Sequence, residues 1–170
     1  MLKNVKNNRH GFTLVEVLIV VVILGILAAT VLPQMTASSA DAKESALVQD
    51  LQMLRSQIQL YKFQHDGELP GAGTATFEDQ MLKSTDLVGV VGDIGTKPYG
   101  PYIIGSVPQN PYNGKNGFAI VTGPVSGTTA GASNVDANGN EAGWIYSKDT
   151  GEIKANSLGT AADGTALEQL

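Results

Sequence analysis

Apolar residues are arranged along this chain in distinct ways, and each arrangement predicts a different structure. Across residues 12–32 they are nearly continuous, interrupted only by Thr13, Glu16, Gly25 and Thr30. About 20 apolar residues cross the hydrocarbon core of a bilayer as a helix, whereas the apolar region of a secretory signal is roughly 7–15 residues. Further on the run thins to a stripe, in which Leu47, Leu51, Leu54, Ile58 and Tyr61 recur at helical spacing while Glu44, Asp50, Arg55 and Lys62 fall elsewhere. Such one-sided spacing is the core face of a helix lying against a sheet. Neither glycine nor proline interrupts between Pro33 and Gly67. His65-Asp66-Gly67 then supplies a stop and Pro70 prevents resumption. The pattern predicts one helix over residues 12–65, roughly 80 Å long at the usual helical rise. Pro33 has no N–H to donate to Ala29, and together with Gly25 it weakens the segment between them.

Beyond Gly67 the period shortens. Thr76-Phe77-Glu78-Asp79 reads as a capping box that opens a short helix to about Lys83. Short apolar runs follow between turn formers, at residues 87–91, 102–104, 118–122, 144–146 and 152–154. Lys148-Asp149-Thr150-Gly151 is a turn between the last two, which predicts an antiparallel hairpin. One long helix followed by a small antiparallel sheet is an α+β arrangement. The small, polar residues 157–170 are expected to form a disordered tail.

Charge places the apolar run. The residues before it carry Lys3, Lys6 and Arg9 and no acid, so the positive-inside bias puts the N-terminus in the cytoplasm and everything after Pro33 on the far side. The formal charge is −5; without those three bases, 8 bases stand against 16 acids, which is −8. An acidic domain argues against nucleic acid or anionic lipid as its main partner. The chain has no cysteine, so an exported domain must hold itself by packing or by a bound ion.

Glu16 is the residue that a plain membrane anchor does not explain. A carboxylate at mid-bilayer costs about 2.5–3.5 kcal/mol even on lenient insertion scales, and such residues are functional by default. Glu16 lies near the helix start, where its cost is smaller, yet it still calls for a cation, and no Lys or Arg follows it before Lys43. A cut after Gly11 would create one, the α-amine of Phe12. A conventional signal peptide cut after Ala40 is the other reading of this region, but the apolar run is too long for it and Pro33 lies inside.

Residues Gly11-Phe12-Thr13-Leu14-Val15-Glu16 and the apolar run behind them resemble a type IV prepilin signal. The resemblance implies cleavage after Gly11 by a membrane prepilin peptidase, which also methylates the Phe12 amine. Glu16 would then neutralise the N-terminal amine of a neighbouring subunit during filament assembly. Gly25 and Pro33 fall where pilin-like helices carry a glycine and a proline, and where such proteins lose helix locally in the assembled filament. Leu60-Tyr61-Lys62-Phe63-Gln64-His65-Asp66-Gly67-Glu68-Leu69-Pro70 is similar to the helix-ending stretch of major (G-type) pseudopilins of type II secretion. The turn Val107-Pro108-Gln109-Asn110-Pro111-Tyr112 resembles that family's proline-rich turn. Gly143-Trp144-Ile145-Tyr146 and Thr150-Gly151-Glu152-Ile153 resemble its final hairpin. The resemblance covers residues 11–70 well and 100–122 and 143–156 more loosely.

Major pseudopilins bind a stabilising calcium in a late loop, and the corresponding loop here, residues 123–142, carries Asp136, Asn138 and Glu141. Oxygen ligands at alternate positions suit Ca2+, but their order is wrong for an EF-hand. A solvated insertion is the favoured reading of the loop, with a calcium site the alternative. Catalysis has little to build on: there is no cysteine nucleophile, and His65, at a helix end, reads as a capping or surface residue.

These readings give a leader (1–11), a membrane and assembly half-helix (12–33), an amphipathic half-helix (34–66), a globular domain (67–156) and a tail (157–170). The implied function is a structural subunit of a pseudopilus rather than an enzyme. Its partners would be copies of itself, minor pseudopilins, the prepilin peptidase and an inner-membrane assembly platform. Its location would be the bacterial inner membrane, with the domain in the periplasm. A surface-fibre pilin, and a membrane-tethered periplasmic binding domain, are the other two readings.

Overall fold

The computed structural model describes residues 11–161 and 164–170. The basic flank expected to form most of the leader lies outside the described residues. The chain divides after Ala40 into two compact units. Helix α1 (Leu14–Gln64) contributes residues 14–40 to the first and 41–64 to the second, and it is continuous through both Gly25 and Pro33.

In the first unit the helix is apolar on every side and none of residues Leu14–Val31 is buried. This stretch is long and apolar enough to cross a membrane. The hydroxyl of Thr30 donates back to the carbonyls of Leu27 (3.0 Å) and Ile26 (3.4 Å), so it presents no unmet donor to an apolar surrounding.

In the second unit the stripe does what its spacing predicts. Leu47, Leu51, Leu54 and Ile58 are fully buried and Tyr61 nearly so, each contributing about 1.5–3 kcal/mol by leaving water. The helix ends as the sequence indicates. Asp66 and Gly67 take positive φ (53° and 91°), and the Gly67 amide donates to the Lys62 carbonyl at 2.9 Å, closing the last turn. Helix α2 (Phe77–Leu82) starts at Thr76, whose hydroxyl accepts the Asp79 amide at 3.1 Å.

Five short strands complete the unit: β1 (Ser84–Thr85), β2 (Val91–Gly92), β3 (Phe118–Val121), β4 (Trp144–Ser147) and β5 (Ile153–Ala155). β1 and β2 form a small antiparallel pair. β4 and β5 form the expected antiparallel hairpin, with Trp144 opposite Ala155 and Tyr146 opposite Ile153. The class is α+β as predicted, but β3 joins β4 in parallel, Phe118 opposite Trp144. The physical reason is the length of the intervening loop: a parallel pair needs a crossover of a dozen or more residues, and residues 122–143 provide it. Where that crossover re-enters the sheet, a Cβ on Gly143 would collide with the Lys115 carbonyl, so the backbone closes tightly there.

Two of the apolar runs form little or no strand. In 102–104, the amides of Tyr102 and Ile103 both donate to the Met81 carbonyl at 2.9 Å, which ties the segment to the end of α2 instead of to a sheet. In 87–91, only Val91 enters a strand; the Gly89 amide donates to Asp86 in a turn that leaves Leu87, Val88 and Val90 exposed.

The expected disordered tail is also corrected. Leu167 is 1% exposed and belongs to the main core, Thr160 bridges Ala166, and a 3-10 turn spans Leu167–Gln169. The Arg55 guanidinium donates to the Leu170 carbonyl at 2.8 Å. Composition failed because one buried leucine and a few charged contacts hold a stretch that is otherwise small and polar. Replacing Leu167 with Ala is therefore expected to cost about 2–4 kcal/mol. A urea midpoint that drops with an unchanged slope is the expected reading; a midpoint equal to wild type would restore the solvated tail.

Candidate functional site

The chemistry of the first unit is concentrated at the start of α1. Gly11, Phe12 and Thr13 precede the helix without regular structure, and Phe12 is 83% exposed. The Gly11–Phe12 bond thus lies outside the helix on an accessible stretch of chain. A Cβ at Gly11 or at Gly25 would meet nothing within 4 Å, so the fold of this chain itself does not require glycine at either position.

Thr13 and Glu16 cap the helix reciprocally. The Glu16 amide donates to the Thr13 hydroxyl at 3.2 Å, and the Thr13 amide donates to a Glu16 carboxylate oxygen at 3.4 Å. These are the two halves of a capping box. A helix starting in an apolar surrounding has several backbone N–H groups without partners, each costing several kcal/mol if left unmet in hydrocarbon. Glu16 therefore has a duty inside its own chain. Among the described residues no lysine or arginine pairs with it. Sequence reasoning recognised the carboxylate and missed Thr13, although Thr13-Leu-Val-Glu16 carries the same signature that located the start of α2.

The late loop is held differently from a calcium site. One Asp136 oxygen accepts the amides of Asn138 and Asn140, each at 2.9 Å, and the Asp136 amide donates to the Asn140 carbonyl at 2.8 Å. Val135 bridges Glu141 across this turn. Asp136 thus closes a tight reversal. Among the described residues no three His, Cys, Asp or Glu side chains converge on a point.

His65 is not a surface residue. It is 1% exposed and stacks on Tyr61 with ring centroids 3.8 Å apart and planes 2° from parallel. Its Nδ1 lies 2.8 Å from the Tyr61 carbonyl and its Nε2 3.0 Å from the Thr85 hydroxyl. A carbonyl only accepts, so Nδ1 carries a proton. With both nitrogens engaged, His65 locks the end of α1 onto β1 and is not available as a base.

Residues 6–32 match the family described as the prokaryotic N-terminal methylation motif. Among curated proteins, type II secretion system core protein G of Dickeya chrysanthemi is 39% identical over 57 residues, 34% of this chain and 37% of that protein. Core protein G of Vibrio cholerae is 44% identical over 52 residues, 31% of this chain and 36% of that protein. A ComG operon protein 3 homolog of Bacillus licheniformis is 29% identical over 77 residues, 45% of this chain and 79% of that protein. The matched stretch spans well under half the length of these core protein G relatives. No solved structure matches. Over its first third the chain is thus similar to type II secretion system core protein G, and residues 6–32 carry the N-terminal methylation motif.

If Asp136 holds the turn through two amides, Asp136→Ala is expected to speed hydrogen exchange of Asn138 and Asn140 about tenfold or more, given that a charged hydrogen bond contributes about 1.5–3 kcal/mol. Exchange at Trp144 should be unaffected. Unchanged protection at 138 and 140 would show that the carboxylate does not close the turn.

Proposed function

We propose that this chain is a subunit of a type II secretion pseudopilus, cut after Gly11, methylated on Phe12, and polymerised through α1 to help drive export across an outer membrane. The observation that carries the reading is a carboxylate three residues into an apolar helix, preceded by an accessible Gly11–Phe12 bond. Cleavage leaves a cationic amine at Phe12. In a filament, Glu16 of one subunit would meet that amine on its neighbour, exchanging an isolated buried charge for a pair. Gly25 and Pro33 would allow the helix to yield locally as subunits pack, since Pro33 leaves the Ala29 carbonyl without its helical donor.

The partners follow from that role: further copies of this chain, minor pseudopilins, a prepilin peptidase and an inner-membrane assembly platform. The domain would sit in the periplasm, with α1 anchoring it in the inner membrane before assembly. A surface-fibre pilin, which would use the same cut, methylation and helix, is the second reading.

Two experiments on the full chain test this. Gly11→Asp is expected to leave an uncut precursor of full mass while Gly11→Ala is processed, since neither fills occupied space in the fold; normal processing of the Asp variant would remove the signal assignment. Glu16→Gln keeps an acceptor for the Thr13 amide and loses the charge, whereas Glu16→Val loses both. Both variants should insert and be cut, and both should yield few or no filaments. Wild-type filament yield from Glu16→Gln would mean that capping, and not pairing with an amine, is what Glu16 supplies.

A further inference from the structure

The late loop is held to the rest of the domain by charged and amide side chains from outside it. Its bordering carboxylates each accept a backbone amide: Asp149 takes that of Gly123 at 2.8 Å, Glu152 that of Val125 at 3.2 Å, and Glu168 that of Ala130 at 3.1 Å. Asn156, 2% exposed, accepts from the Gly131 amide at 2.7 Å and donates to the Ala142 carbonyl at 2.7 Å, so it fastens the middle and the far end of the loop to the segment that follows β5. At the centre stands one ammonium. Lys154 on β5 is only 6% exposed, and its Nζ donates to the Thr128 carbonyl at 2.5 Å and to the Glu168 carboxylate at 3.3 Å.

We propose that the Lys154 ammonium is the built-in cation of the late loop, fixing loop and tail to β5 so that the domain folds and assembles without a divalent ion. The arrangement has the features a bound cation would need and supplies them from the chain. Carbonyl and carboxylate oxygens from two separate segments converge on one positive centre, as they do on a metal ion. Burying an ammonium is unfavourable unless its donors are met, so the loop and the tail must both be in place before Lys154 can be covered. Glu168 bridges the two segments, since the oxygen that receives Lys154 also receives the Ala130 amide. That amide first, and Lys154 after it, hold the Glu168 carboxyl below its ordinary range. Leu167, next to it, anchors the tail in the core.

Trp144 is the single tryptophan, fully buried on β4 beside β5, so its fluorescence reports the melting of this region. The test is thermal melting of the full chain in detergent, with millimolar calcium and with chelator. Wild type is expected to melt at the same temperature in both. Lys154→Met, which keeps the aliphatic stem and removes the charge, should melt about 5–10 °C lower, while Lys154→Arg retains most of the stability. If Lys154→Met does not fold, Glu168→Gln, which keeps an acceptor for Ala130, should show the smaller drop in the same assay. A wild-type midpoint that falls on chelation would overturn the proposal, as would charge-removing variants that melt like wild type. Because melting reads the fold and not filament yield, failure here leaves the pseudopilin reading to its own experiments.

Discussion

A helix whose whole circumference is apolar cannot remain in water, and this requirement separates the two halves of α1. Residues Leu14–Val31 present hydrophobic side chains in every direction and none is covered within the chain. Such a stretch is long and apolar enough to cross a membrane. From Leu47 onward the same helix carries a one-sided stripe, Leu47, Leu51, Leu54, Ile58 and Tyr61, that the chain's own domain covers, while Leu60 and Phe63 stay exposed. One continuous element therefore has two environments written into it by the spacing of its hydrophobic residues. Thr13 and Glu16 belong to the first environment, where lipid offers no water to unpaired amides and the capping box becomes necessary rather than merely helpful.

In the second unit, long-range order comes from aromatic packing tied down by a few polar links. Phe77 meets Phe118 edge-on at 4.5 Å and Tyr146 at 4.2 Å, which joins α2 to β3 and β4. The Tyr146 hydroxyl donates to the Pro70 carbonyl and the Trp144 indole to the Pro108 carbonyl, each at 3.0 Å. These bonds satisfy carbonyls in segments that have no regular partner. Asn110, fully buried, does the same for the proline-rich turn through Gly143 and Ser157. Burial of the phenols raises both, Tyr61 to about 12, so neither is ionised in the folded domain at neutral pH.

What the sequence disclosed divides along the range of the interactions involved. Local signals were legible: the stripe, the stop at Asp66-Gly67, the Thr76 cap and the Lys148–Gly151 turn all depend on residues a few positions apart. The segments that failed depend on partners far away in sequence. Tyr102 and Ile103 are apolar enough for a strand, but Met81 takes their amides; β3 is parallel because of where the crossover lands; the tail is held by Arg55, Ala130 and Lys154. At the helix start the carboxylate was legible as an anomaly of composition, since charge in an apolar run stands out. Its partner Thr13 was overlooked because one hydroxyl in the same run looks like a simple interruption. In the late loop, alternate oxygens suggested a cation, whereas the buried ammonium that meets the loop, Lys154 at the Thr128 carbonyl, comes from a strand that the loop sequence does not contain.

The structure also separates residues that the fold needs from residues that it does not. Gly143 is required by the fold, because a side chain there would strike the Lys115 carbonyl. His65 and Lys154 are required too, since each is buried with its polar atoms matched. Gly11 and Gly25 stand in open space, Phe12 is exposed, and a neutral acceptor would serve the Thr13 amide as well as the charged Glu16 does. Glu16 is accounted for in part by its cap with Thr13, and Gly11 and Phe12 by nothing among the described residues. All three lie within six residues, Gly11 to Glu16, and the proposed processing and subunit pairing would give each a reason that the fold of the described residues does not.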